Sequence, residues 1–157
     1  MEEYLKVIKN YVNFKGRASR REFWMFVLVN LIISFILGQI DNALGLNFGG
    51  GLAKQGVLSS IYSLFIFLPN LAVTVRRLHD INKSGWFLAG FYGIALLFYV
   101  MILTYPESSL IIIFSLVLLA FAIYFIVLLA TEGDKQSNDY GPDPYGSDEL
   151  DIEDHLI

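Results

Sequence analysis

Three short polar blocks carry most of the side chains that could do chemistry. RRLHDINKSGW, residues 76–86, sets Arg76, Arg77, His79, Asp80 and Lys83 between two long apolar runs. GRASRRE, residues 16–22, supplies Arg17, Arg20, Arg21 and Glu22, and NDYGPDP, residues 138–144, supplies Asp139 and Asp143. An imidazole beside a carboxylate is a minimal acid–base pair. However, no serine or cysteine nucleophile motif and no second histidine at metal-ligand spacing accompanies His79. A structural or hydrogen-bonding role is therefore expected ahead of catalysis, and no catalytic residue, metal ligand or cofactor site is assigned. Clustered arginines point instead to binding of phosphate or carboxylate groups.

The elements that must position these blocks follow from composition. In 157 residues, 55% are hydrophobic, only 17% are charged, and thirteen are phenylalanine, which lies outside the range of an ordinary soluble domain. Four apolar stretches, residues 23–40, 57–75, 86–104 and 110–130, contain no Asp, Glu, Lys, Arg or His. Each is long enough to cross a hydrocarbon core of about 30 Å as a helix while satisfying its own backbone. The expected fold is an all-α integral membrane four-helix bundle over residues 16–130. Residues 131–146 form a turn-rich segment, and residues 147–157 an acidic tail read as solvated. The first apolar run begins after residue 22 and lacks a small-x-small cleavage pattern, so it reads as a retained span rather than a signal peptide. Cysteine is absent, which excludes disulfides and thiolate metal sites.

Residues 1–15 carry a separate signal. On a helical wheel of MEEYLKVIKNYVNF, Met1, Tyr4, Leu5, Val7, Ile8, Tyr11, Val12 and Phe14 fill one half, with the charged and amide residues opposite. The segment is too short to span. It reads as an amphipathic interfacial helix, with packing of the same face on the end of the helices as the equal alternative.

Local chemistry accounts for many of the polar residues. Ser19 and Glu22 have the spacing of a capping box on the first span. Trp24 and Trp86 are expected as interface anchors, Ser84 as the cap of the third helix and Gly85 as an aid to the turn. Within the spans, Asn30, Ser34 and Gly38 share one stripe, while Ser59, Ser63, Asn70 and Thr74 share another. Such stripes usually join helices, and Asn30 and Asn70 are the expected structural pair. Pro69 is expected to perturb the second span beside Asn70.

Ten of the eleven Lys and Arg residues fall in the N-terminal segment, the 76–86 loop or the tail, with Lys54 alone on the other side. The positive-inside rule then places both termini and all three blocks in the cytoplasm. Arg17, Arg20, Arg21, Arg76, Arg77, His79, Asp80 and Lys83 become the candidate face for lipid or partner binding. Asn138, Tyr140, Gly141, Pro142 and Pro144 are expected to shape a turn that docks on it, with Asp80, Asp139 and Asp143 as counter-charges, Asp80 in reach of Arg76 or Arg77 if the helix continues.

FKGRASRREFW, AVTVRRLHDINKSGW and NDYGPDP, in this order, resemble the domain of unknown function 805 family of small bacterial inner-membrane proteins. The resemblance implies a multi-pass protein of the bacterial inner membrane and carries no established activity. Family members often have a second glycine ahead of the tail asparagine, where this chain has Gln136. Three function classes follow. The leading one is a non-enzymatic protein whose cytoplasmic face binds anionic lipid headgroups or a protein partner. A transporter or channel component is the alternative, and a membrane enzyme using His79 and Asp80 comes third. The expected partners are membrane lipids, anionic phospholipid among them, and a protein partner or second copy; nucleic acid is not expected.

Overall fold

Apolar residues without charge in lipid can satisfy their backbone only within a helix or a closed barrel, and here they form helices. The computed structural model describes residues 1–51, 54–105 and 107–145. Its elements are α1 (Glu2–Lys9), α2 (Arg20–Leu44), β1 (Asn47–Phe48), β2 (Gln55–Gly56), α3 (Val57–Asp80), α4 (Trp86–Thr104) and α5 (Leu110–Ala130). Helices α2 to α5 are each long and apolar enough to cross a membrane. The expected ends of α4 and α5 agree with those observed. Both α2 and α3 run beyond their apolar stretches, α2 through Asp41 to Leu44 and α3 through the arginines to Asp80. A two-stranded antiparallel ribbon between them, pairing Asn47 with Gly56 and Phe48 with Gln55, was not anticipated. The acidic tail expected over residues 147–157 lies outside the described residues.

The chain divides into two units. The first comprises Met1–Phe14 and Arg21–Val73. In it α1 packs through one stripe of its apolar face: Val7 is fully buried, Tyr4 stacks on Phe26 at 5.5 Å, and the Tyr11 hydroxyl donates to the Phe65 carbonyl. Lys6 reaches the buried Glu22 carboxylate at 3.4 Å. Met1, Leu5, Val12 and Phe14 remain exposed, so the wheel's apolar half is divided between helix packing and the outside. The helix is shorter than the wheel allows because Asn10 turns back, its amide and its side-chain nitrogen both donating to the Lys6 carbonyl.

Two polar contacts fix α2 against α3 within this unit. Asn30 donates to the Phe26 carbonyl of its own helix at 2.7 Å and accepts from the Tyr62 hydroxyl. The cross-helix bond thus comes from a tyrosine that lies along α3 between Ser59 and Ser63 but was not counted in the expected polar stripe. At the far end, the buried Asp41 carboxylate accepts the backbone amides of Leu58 and Ser59 at 3.0 and 2.9 Å and the Ser59 hydroxyl at 2.7 Å. It therefore caps the N-terminus of α3 from another helix, relieving donors that α3 cannot satisfy itself. Gly56 permits this, because a Cβ there would collide with Asp41.

The second unit comprises Lys15–Arg20 and Thr74–Ile157. Its apolar part is α4 against α5, where Phe91 stacks on Phe125 at 5.2 Å and on Phe121 at 5.8 Å. Most other side chains of both helices point outward, as expected where the solvent is hydrocarbon. A double-mutant cycle on Asn30→Leu and Tyr62→Phe, read by thermal melting in detergent, is expected to give a coupling of about 0.5–1.5 kcal/mol. Additive effects would show that the pair does not join α2 to α3.

Candidate functional site

In the second unit the last turn of α3 is a problem of backbone supply. A helix leaves its final carbonyls without internal donors, and these emerge near apolar surroundings. Asn82 solves part of it by taking a positive φ of 52°, one of the few conformations asparagine adopts more readily than other side-chain-bearing residues. The chain then folds back so that the Lys83 amide donates to the Leu78 carbonyl at 2.9 Å and the Asn82 amide to the His79 carbonyl at 3.0 Å, a Schellman closure. The Asp80 carbonyl accepts the Asp134 amide at 2.9 Å, and the Asn138 side chain donates to the His79 carbonyl at 2.9 Å.

Around this turn lies an ionic centre. The Asp80 side chain is 2% exposed and sits between two guanidiniums. Arg17 Nε donates to its Oδ1 at 2.9 Å, and Arg77 Nη1 donates to its Oδ2. Two cations against one carboxylate leave an excess positive charge out of water. Backbone carbonyls balance it. Arg77 Nε donates to Leu129 O at 2.9 Å and its Nη2 to Thr131 O, closing the C-terminal end of α5. Arg17 Nη1 donates to Gln136 O at 2.7 Å and Gly141 O at 3.3 Å, and its Nη2 to Asp134 O. Carbonyls at a helix C-terminus carry partial negative charge, so both ends of this arrangement favour the cations.

The tail is thus held through its main chain. Of the three carboxylates expected to balance the arginines, Asp80 does so, pairing with Arg17 and Arg77; where Asp139 and Asp143 were expected, the arginines take tail carbonyls instead. Arg17, one of the residues of the candidate binding face, has its guanidinium turned inward with its donors engaged. Gln136 needs no positive φ, which explains why a glycine is dispensable there. Gly133 is the glycine that matters: a Cβ on it would strike the Asp80 carboxylate. Gly141 adopts φ 135° inside the paired turn in which Asn138 and Gly141 exchange amide–carbonyl bonds at 3.1 Å.

His79 also has a defined position. Its ring lies flat on Tyr140, centroids 3.8 Å apart and planes 5° apart, and Nδ1 is 3.1 Å from the Gly16 carbonyl. The histidine therefore joins the 15–20 segment to the tail. The Ala18 amide donates to the Arg76 carbonyl at 3.0 Å, adding a main-chain tie. Arg76 is buried, and Ser19, also buried, stands just ahead of α2 as a cap residue should. At α4 the Ser84 hydroxyl accepts the Trp86 amide at 3.3 Å while Gly85 occupies the cap position itself. Gly85 has an ordinary φ of −58° and serves by its lack of a side chain: a Cβ would press on Val75 at 2.9 Å. Trp24 and Trp86 are exposed, as interface anchors would be. Arg20, Arg21 and Lys83 are exposed as well, so of the candidate binding face these three are accessible while Arg17, Arg76, Arg77 and Asp80 are interior.

Four span-length apolar helices define an integral membrane protein. The chain belongs to the family described as Protein of unknown function (DUF805), whose model matches residues 11–142 and takes in the first two polar blocks and residues 138–142 of the third. It is 42% identical over 149 residues to Inner membrane protein YhaI of Escherichia coli (strain K12), covering 94% of this chain and 99% of that one. It is 52% identical over 97 residues to Inner membrane protein YhaH of the same strain, covering 59% of this chain and 78% of the relative. No solved structure matches the chain. The protein is accordingly an integral inner-membrane protein.

Removing one partner of a buried ion pair strands the other. Asp80→Ala is expected to lower stability by about 3–5 kcal/mol in detergent, and Gly133→Ala by about 1–3 kcal/mol through overpacking. Thermal melting with circular dichroism measures both, and an unchanged melting point for Asp80→Ala would show that the ionic centre does not hold the cap.

Proposed function

We propose that the protein is a non-catalytic membrane protein whose cap lies in the cytoplasm and binds anionic lipid headgroups. The division of basic residues carries the orientation: ten of eleven lie in segments on one side of the four spans. The division of labour among those cations supports the binding role. Arg17 and Arg77 act as internal ties, whereas Lys15, Arg20, Lys83 and Lys135 of the second unit are exposed. Arg20 opens α2 and Lys83 precedes α4, so both stand at the level where apolar helix gives way to headgroups. His79, stacked on Tyr140 and engaged at Nδ1, is placed as a packing and hydrogen-bonding residue rather than as a free base.

Native mass spectrometry of the full chain in detergent, titrated with phosphatidylglycerol, tests the binding. The double variant Lys15→Gln/Lys83→Gln is expected to retain about thirtyfold less phosphatidylglycerol, with about 1 kcal/mol lost per basic residue near an anionic surface. Retention equal to that of the parent protein would remove the anionic-lipid reading. Topology is checked separately: a reporter fused after Ile157 should read as cytoplasmic and one inserted near Gly50 as external, and a cytoplasmic signal at Gly50 would overturn the orientation.

A further inference from the structure

The second unit contains a cavity of about 350 Å³ that the cap's internal ties do not fill. Arg20, Glu132, Asp134, Lys135, Asp143 and Tyr145 line it, and the Asp80 carboxylate forms part of its wall. Arg20 is the first residue of α2 and Glu132 follows the end of α5 by two positions, so the cavity opens where two apolar helices end. Its volume is at the small end of ligand sites, enough for a headgroup and too little for acyl chains. Below Ala130, exposed Val127, Ile126 and Ile123 leave the flank of α5 available to those chains.

The charges that remain after internal pairing decide the ligand class. Asp80 is neutralised by Arg17 and Arg77, and Lys135 pairs with Glu132 at 3.6 Å. Arg20 is exposed, and its Nη1 contact to the Ala130 carbonyl is long at 3.4 Å, which leaves a guanidinium facing the opening. Asp143 is half-buried. Among the described residues its Oδ1 accepts the Tyr145 amide at 3.0 Å and its Oδ2 is available to a ligand. Asp134 adds a second carboxylate, one oxygen of which accepts from Asn138 at 3.2 Å. A guanidinium suits a phosphate. Two carboxylates repel a ligand that is only anionic and favour one that also carries a hydrogen-bonding ammonium.

We infer that this cavity is a subsite for phosphoethanolamine, with the phosphate at Arg20 and the primary ammonium between Asp143 and Asp134. The inference rests on the lipid-binding role proposed above and names a second headgroup class beside the anionic one. A choline headgroup has the same phosphate and charge, but its trimethylammonium has no N–H to donate.

The test uses the full chain in detergent and native mass spectrometry with phosphatidylethanolamine, phosphatidylcholine and phosphatidylglycerol of matched acyl chains. Phosphatidylethanolamine should be retained about tenfold better than phosphatidylcholine, the scale of one lost charge-assisted hydrogen bond. Asp143→Asn, which keeps the Oδ1 acceptor for Tyr145, should abolish that preference while leaving phosphatidylglycerol retention unchanged. Soluble O-phosphoethanolamine supplies the other arm: displacement at concentrations equal to the lipid assigns the site to the free molecule, and resistance assigns it to the lipid, either result supporting the chemistry. Equal retention of the ethanolamine and choline lipids, or a preference untouched by Asp143→Asn, overturns the subsite even if phosphatidylglycerol binds. Absence of any retained phospholipid would instead overturn the lipid-binding role itself.

Discussion

The buried carboxylate of Asp80 is the constraint on which the second unit depends. An isolated carboxylate removed from water would take up a proton or draw in a counter-ion, and here two guanidiniums surround it. This solution creates a surplus positive charge, which needs acceptors in turn. The nearest abundant acceptors are carbonyls that α3 and α5 cannot satisfy internally, together with those of a chain segment that has left the membrane. The ionic centre and the unsatisfied helix ends therefore answer each other: the donors in excess at one are the donors missing at the other. Neither would be stable alone in a layer where water is scarce.

A similar economy appears in the first unit, with the signs reversed. There a single carboxylate, Asp41, closes the N-terminus of α3 and needs no cation because backbone amides and a hydroxyl suffice. Helix α3 is thus finished at one end by an acid borrowed from α2 and at the other by the Asn82, Lys83 and Asp134 amides and the Asn138 side chain. Its extension past Val75 to Asp80 follows from the C-terminal closure, which supplies partners for the added turn.

The four spans were legible because charge-free runs of that length have few alternatives in water or lipid. The three polar blocks were legible as a group, since their common side follows from counting spans. Their contacts were less so. Sequence pairs charge with charge, which found Asp80 correctly and added Asp139 and Asp143 where carbonyls serve, because a main-chain carbonyl has no letter of its own. The same blindness hid the Gly16 carbonyl beneath His79 and the space that Gly133 and Gly85 provide. Tyr62 escaped notice because a tyrosine in an apolar run reads as bulk until its hydroxyl meets Asn30. One signal was available for Gly133, a lone glycine directly after a span, and its role still required knowing how near Asp80 lay.

Capture of the tail by Arg17 through the carbonyls of Asp134, Gln136 and Gly141 makes the clasp a gauge of spacing rather than of spelling. Side chains such as those of Lys135, Gln136 and Ser137 can be exchanged without touching Arg17's grip, whereas Asn138 and Tyr140 fasten the same stretch to His79 by their side chains, and one inserted or deleted residue would bring the wrong carbonyl to the guanidinium. The clasp therefore constrains the number of residues in the tail more tightly than the identity of those whose side chains it does not touch.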